Sequence, residues 1–163
     1  KNRALILIGF AGGFRRSELV SVHHEDLDFV PEGVKIFVKR SKTDQSGEGM
    51  VKAIPYFDNE EFCPVKNLKL WMTQSNISTG KIFNISDKSV ALIIKKYANL
   101  AGLDAAKYSG HSLRSGFATS TAESGAEERN IMAMTGHKTT QMVRRYIKEA
   151  NLFKNNALNK IKI

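Results

Sequence analysis

The segment Ala4-Leu5-Ile6-Leu7-Ile8-Gly9-Phe10-Ala11 constrains this chain more than any other, because it is almost continuously apolar and is followed at once by Gly12-Gly13. It is too short to cross a bilayer. A run of this kind reads as a buried helix, and the two glycines end it with a tight backbone turn. The turn delivers Phe14-Arg15-Arg16-Ser17-Glu18-Leu19-Val20. Ser17 is placed to cap a short helix and Glu18 to lie in its first turn. An arginine that follows a glycine turn between two apolar elements is held at the edge of a core, which suits an anion clamp better than a solvated charge would. Arg15 and Arg16 are adjacent and must point apart, so only one of them is expected to enter a site.

Downstream, Asp26-Leu27-Asp28-Phe29-Val30 alternates as a strand does, Pro31-Glu32-Gly33 makes a turn, and Val34 to Lys39 alternates again. A polar loop from Ser41 to Gly49 leads into Met50–Pro55, a third strand. Beyond this sheet the chain turns helical. Pro64 opens a run through Leu68, Leu70, Trp71 and Met72, and Lys81-Ile82-Phe83 is a short extended piece. Ser86 reads as an N-cap. Val90, Ile93, Ile94, Tyr97, Ala98 and Ala101 form an apolar stripe closed by Gly102, and all of it, Tyr97 included, is expected in the core. His111 opens a helix ended by Gly125, Ala126 starts one ended by Gly136, and Thr139-Thr140 starts another containing Tyr146. The expected architecture is mainly α with a small antiparallel three-stranded sheet (α+β), in a single domain over 1–163. The amphipathic tail, about 150–163, is expected to dock on its own core or on a neighbouring copy. The chain begins inside a helix, which points to a piece of a longer protein.

Composition narrows the partner. A hydrophobic fraction of 42% is that of a globular chain, and 25 Lys and Arg against 16 Asp and Glu leave a formal charge of +9. Such an excess favours a polyanion, with nucleic acid first and anionic membrane second. No apolar run is long enough for a membrane span, and no signal peptide is apparent, so the expected setting is cytoplasmic. The single cysteine, Cys63, excludes an internal disulfide and any cysteine-rich zinc site, and reads as a small buried hydrophobe. His23 and His24 are adjacent, point apart and have no carboxylate spacing to complete a metal site, so they read as surface residues.

The chemistry concentrates between His111 and Tyr146. His111 and Arg114 are three apart, which on a helix puts them on one face. Thr135-Gly136-His137 follows, and Tyr146 lies nine positions beyond His137, with room for a turn and most of a new helix. A phosphate held by His111 and Arg114 would then face a tyrosine hydroxyl from a separate element. Taken singly, Arg15, Lys42 and His137 are each more readily structural or solvated than catalytic; the joint pattern reverses those odds.

Gly13-Phe14-Arg15-Arg16-Ser17-Glu18-Leu19, His111-Ser112-Leu113-Arg114 and Gly136-His137 with Tyr146 resemble the signature of the tyrosine recombinases, the phage-integrase family. The likeness spans nearly the whole chain and keeps the order Arg, Lys, His-x-x-Arg, His, Tyr. It implies a catalytic domain cutting and rejoining double-stranded DNA through a 3′-phosphotyrosine, without an N-terminal DNA-gripping domain, and acting as a tetramer through a Holliday junction. The resemblance makes Tyr146 the nucleophile, Arg15 and Arg114 the phosphate clamp and His111 the base. It makes Lys42 the general acid, with Lys39 as fallback, and has His137 hydrogen-bonding the scissile phosphate and Glu18 orienting the first arginine. Two arginines and a lysine stabilise the growing charge without a metal, and no carboxylate cluster is apparent to hold one, so neither cofactor nor ATP is expected. Three rivals stand beside this: a type IB topoisomerase, which shares the chemistry but not partner exchange, a basic DNA-binding module that needs no Tyr146, and a metal-dependent nuclease.

Overall fold

The computed structural model describes residues 1–39, 49–137 and 139–152. The apolar opening segment is α1 (Asn2–Ala11), which lies in the main core with Ala4, Leu5 and Ile8 almost wholly covered. Its end follows from the two glycines. The N–H groups of Gly12, Gly13 and Phe14 donate to the carbonyls of Ile8, Phe10 and Gly9, and Gly13 takes a left-handed φ of +55°. The chain reverses there and enters α2 (Arg16–Ser21), while Phe14 drops into the core at 1% exposure.

After a 3-10 turn at His24–Asp26, strands β1 (Leu27–Val30), β2 (Gly33–Val38) and β3 (Met50–Pro55) form an antiparallel sheet in sequence order. Leu27 pairs with Ile36 and Val30 with Gly33; Gly33 also pairs with Pro55, and Val38 with Met50. Alternation sends Val34, Ile36, Val38 and Ile54 inward. Along β3 the same inward phase carries Lys52.

The remaining elements are helical: α3 (Pro64–Gln74), α4 (Asp87–Leu100), α5 (Ser112–Glu123), α6 (Glu128–Thr135) and α7 (Thr140–Ala150). Pro64 opens α3 and the Ser86 hydroxyl caps α4 by accepting from the Ser89 N–H at 3.1 Å. Gly136, at φ +66°, ends α6. The mainly α architecture with a three-stranded antiparallel sheet is therefore as expected.

Two clusters make up the interior. The larger joins α1 to α4 with the sheet and the 82–83 segment, which the Trp71 indole holds by donating to the Ile82 carbonyl. The smaller joins α5, α6 and α7 through Ala118, Ala122, Ile131 and Val143, with Tyr146 and Ile147 packed against it. Cys63 is fully buried, as expected.

Two local expectations need correction. The cap of α2 is Arg15, not Ser17: Glu18, in the first turn, accepts from the Arg15 backbone N–H at 2.9 Å, while Ser17 is exposed. Tyr97 is not core. Val90, Ile94 and Ala98 take the buried line of α4, and the helix turns Tyr97 outward to 41% exposure. The amphipathic stripe was wider than the surface it covers. Lys42, in the polar loop, and tail residues 153–163 lie outside the described residues.

The α1–α2 turn has no room for a methyl group. A Cβ on Gly12 would stand 2.2 Å from Phe14 Cε2, and the buried ring has nowhere to retreat. Gly12→Ala is expected to destabilise the fold by about 1–3 kcal/mol as an overpacked core site, read as a lowered urea midpoint at unchanged m-value.

Candidate functional site

The turn after α1 and the turn after α6 approach each other across the inner face of β3. Each presents one residue of the expected set: Arg15 from the first and His137 from the second. Between them rises Arg114 from α5, 6% exposed, whose Nη1 donates to the Gly13 carbonyl at 3.0 Å. Its second terminal nitrogen, Nη2, is buried and has no hydrogen-bond partner among the described residues. An orphaned guanidinium N–H in a protein interior is uncommon, and points to a ligand atom that completes it.

Glu18 holds this cluster together. The carboxylate is 2% exposed, and one oxygen accepts from the Arg15 side chain at 2.6 Å while the other accepts from the Arg15 backbone. The same negative charge acts favourably on Lys52, Arg114 and protonated His137. Arg16, by contrast, turns away to pair with Asp87 of α4 at 3.1 Å. Only Arg15 enters the site, as adjacency required.

Lys52 is the residue that sequence reasoning missed. Its ammonium is fully buried, donates to the Gly12 carbonyl at 2.8 Å and to the Met134 carbonyl, and sits 4.9 Å above the Phe14 ring. Burial pushes its pKa down to about 8; Arg114 and Arg15 add to the depression and Glu18 offsets part of it. The signal was present in the alternation of β3, where Lys52 falls on the same phase as Ile54. Lys39, the fallback acid, is otherwise engaged: its ammonium lies 2.8 Å from the buried carboxylate of Asp26.

The two histidines differ. His137 is half-buried, and burial, followed by the charges of Arg114, Arg15 and Lys52, drives its pKa down to about 4 against the pull of Glu18. Its Nδ1 lies 2.8 Å from the Thr135 hydroxyl, and that hydroxyl donates its only proton to the Ile131 carbonyl at 2.7 Å. The ring is therefore neutral with its proton on Nδ1, and Nε2 presents a lone pair. His111 is exposed at the head of α5 while Arg114 is buried. The face they were expected to share is thus divided between solvent and core.

Tyr146 reaches the cluster from α7. Its ring packs against the second core, and its phenolate charge would bear on Arg114. Within the cluster, Arg15, Lys52 and Arg114 against Glu18 leave a formal excess of two positive charges. Among the described residues no three His, Cys, Asp or Glu side chains come together as a metal-holding group, and no helix is long and apolar enough to cross a membrane.

Residues 1–152 match the Phage integrase family. The chain belongs to that family, the tyrosine recombinases. It is similar to the integrase/recombinase xerD homolog of Selenomonas ruminantium, with 50% identity over 173 residues that cover 99% of this chain and 51% of that protein. It is also similar to tyrosine recombinase XerD of Haemophilus ducreyi, with 26% identity over 87% of this chain and 49% of that one. The chain therefore spans about half the length of the curated relatives it matches. Among solved structures, the XerA recombinase superposes with a TM-score of 0.74 at 19% identity, over 100% of this chain and 58% of that one. The XerH site-specific recombinase, captured bound to a palindromic difH substrate after cleavage, gives 0.73 at 21%, over 96% and 46%. At these identities the likeness is one of fold.

Two measurements check the electrostatics of this integrase-family site. Glu18→Gln leaves buried Lys52 and Arg114 and half-buried Arg15 without their counter-charge, and is expected to cost about 3–5 kcal/mol of stability, read by urea unfolding at neutral pH. The His137 imidazole is expected to titrate near 4, with NMR ring shifts of the Nδ1–H tautomer above that. Its folded pKa lies below the ordinary histidine value of 6.5. Its contribution to stability is therefore complete above pH 6.5 and is lost as the pH falls toward 4.

Proposed function

We propose that this domain is the catalytic half of a site-specific DNA recombinase, cleaving and rejoining double-stranded DNA through a covalent 3′-phosphotyrosine at Tyr146. The observation that carries the reading is the buried, unpartnered Nη2 of Arg114, set among Arg15, Lys52 and Glu18 with Tyr146 alongside. A phosphodiester oxygen completes that nitrogen. The relatives, an integrase/recombinase and a tyrosine recombinase, support the same activity.

In the forward step the Tyr146 oxygen bonds to phosphorus and the bond from phosphorus to the 5′ oxygen breaks. Negative charge gathers on the non-bridging oxygens, where Arg15 and Arg114 offer planar forks of donors. His111, exposed at the start of the helix that carries Arg114, takes the phenolic proton. Lys42 gives a proton to the departing 5′ oxygen. Glu18 fixes Arg15 and remains a carboxylate throughout. His137 is assigned to the scissile phosphate, and its neutral ring must gain a proton on Nε2 to donate there. The neighbouring cations oppose that proton, and an anionic phosphate removes part of the opposition. The bond energy stays in the phosphotyrosine, so rejoining requires neither ATP nor metal. Attack by a 5′-hydroxyl of a second duplex exchanges strands, an event that engages four protomers in the whole protein.

A nicked suicide duplex carrying the recombination site, incubated with the full-length protein in EDTA, tests this. Wild type is expected to yield a protein–DNA adduct that survives SDS, and Tyr146→Phe to yield none. An adduct that persists in the variant would move the nucleophile elsewhere. An adduct that forms only when divalent cation is restored would return the chemistry to a metal-dependent nuclease.

A further inference from the structure

We propose that Lys52 is a positioning residue for strand transfer, a buried clamp that fixes the turn presenting Arg15 against the turn presenting His137. The proposal rests on the reading of the site given above.

The geometry is specific. One ammonium joins the Gly12 and Met134 carbonyls, and each carbonyl stands three residues before a site side chain, Arg15 in one turn and His137 in the other. Gly12 caps α1 and Met134 lies in the last turn of α6, so both acceptors are helix C-terminal carbonyls. Such carbonyls lack intrahelical partners and carry the negative end of the helix dipole. Lys52 satisfies both at once from a third element, β3, with the Phe14 ring closing the space below its charge.

Lys52 is fully buried, and both carbonyls its ammonium meets belong to the protein backbone. Burial also disfavours its charge, as do Arg15 at the start of α2 and Arg114 on α5. Glu18 is the one neighbouring charge that favours it, and Lys52 in turn opposes protonation of His137 on the facing turn. A cation held against that cost is poorly explained by stability. Sites that hold reactive groups in one geometry commonly give up stability to do so.

The test uses the full-length protein and the nicked duplex on which wild type forms its adduct. Loss of the adduct in Tyr146→Phe on that duplex tests the reading of the site separately from Lys52. For Lys52→Met, the single-turnover rate of adduct formation is expected to fall about 100-fold, the loss typical of a misplaced reacting group. DNA affinity is expected to stay within about threefold, because no phosphate contact is removed. The melting midpoint is expected to fall by no more than about 5 °C, because removal of a buried charge offsets part of the cost of two carbonyls losing their donor. Lys52→Arg, which keeps the cation, should recover at least about tenfold of the rate. A 5′-bridging phosphorothiolate, whose sulfur departs without a proton, should not rescue Lys52→Met.

A methionine variant that reacts within about threefold of wild type per folded molecule would overturn the proposal, because removing a needed cation costs far more. Rescue by the phosphorothiolate would overturn it too, by making Lys52 the acid. Should the methionine variant fail to fold, the arginine variant decides. A rate within about tenfold of wild type supports the clamp, and a folded arginine variant slowed more than about 100-fold contradicts it.

Discussion

One carboxylate, Glu18, sits between Arg15, Lys52 and Arg114 in a part of the protein that water barely reaches. Like charges at close range in a low-dielectric interior repel strongly, and the Glu18 charge is the local term that opposes that repulsion. The same side chain closes the first turn of α2 by accepting from the Arg15 backbone. Helix cap and charge balance thus reside in a single residue. The direction of Arg15 is fixed by the element it begins, and the rest of the pocket is arranged around it.

The pocket is assembled from chain segments that are far apart in sequence, and backbone carbonyls do much of the joining. Arg114 donates to Gly13, and Lys52 to Gly12 and Met134, so side chains of α5 and β3 tie down the turns after α1 and α6. Gly13 makes this possible by taking a left-handed conformation where a Cβ would lie 2.9 Å from Phe117. The outcome is an electropositive cluster whose own acceptors are largely spent on holding it in shape. What remains unspent among the described residues is the second nitrogen of Arg114, buried and without a partner. Preorganised cations of this kind stabilise charge as it develops and need no rearrangement at the moment of reaction.

Much of this was legible in the sequence. The apolar run closed by Gly12-Gly13, the alternation of the strands and the glycine that ends α6 each name an element through a local rule, and each element formed. Adjacency said that only one of Arg15 and Arg16 would enter the site, the family resemblance chose Arg15, and Asp87 accounts for where the second arginine goes. Lys52 was hidden because a lysine in a strand is ordinarily taken as the outward residue. Its inward phase became meaningful only once α1 and α6 had brought two carbonyls to it. The exposure of Tyr97 and the separation of His111 from Arg114 are likewise tertiary facts, since spacing gives the face of a helix but not which neighbour covers it.

The account stands or falls on which side chain receives the DNA. Proteolysis of the SDS-stable adduct followed by mass spectrometry would locate the nucleotide-bearing peptide among the four tyrosines of the chain. The nucleotide is expected on Tyr146, in the peptide from α7. A nucleotide on Tyr56, Tyr97 or Tyr108 would contradict it, because each would place the chemistry away from the buried cations on which the mechanism depends.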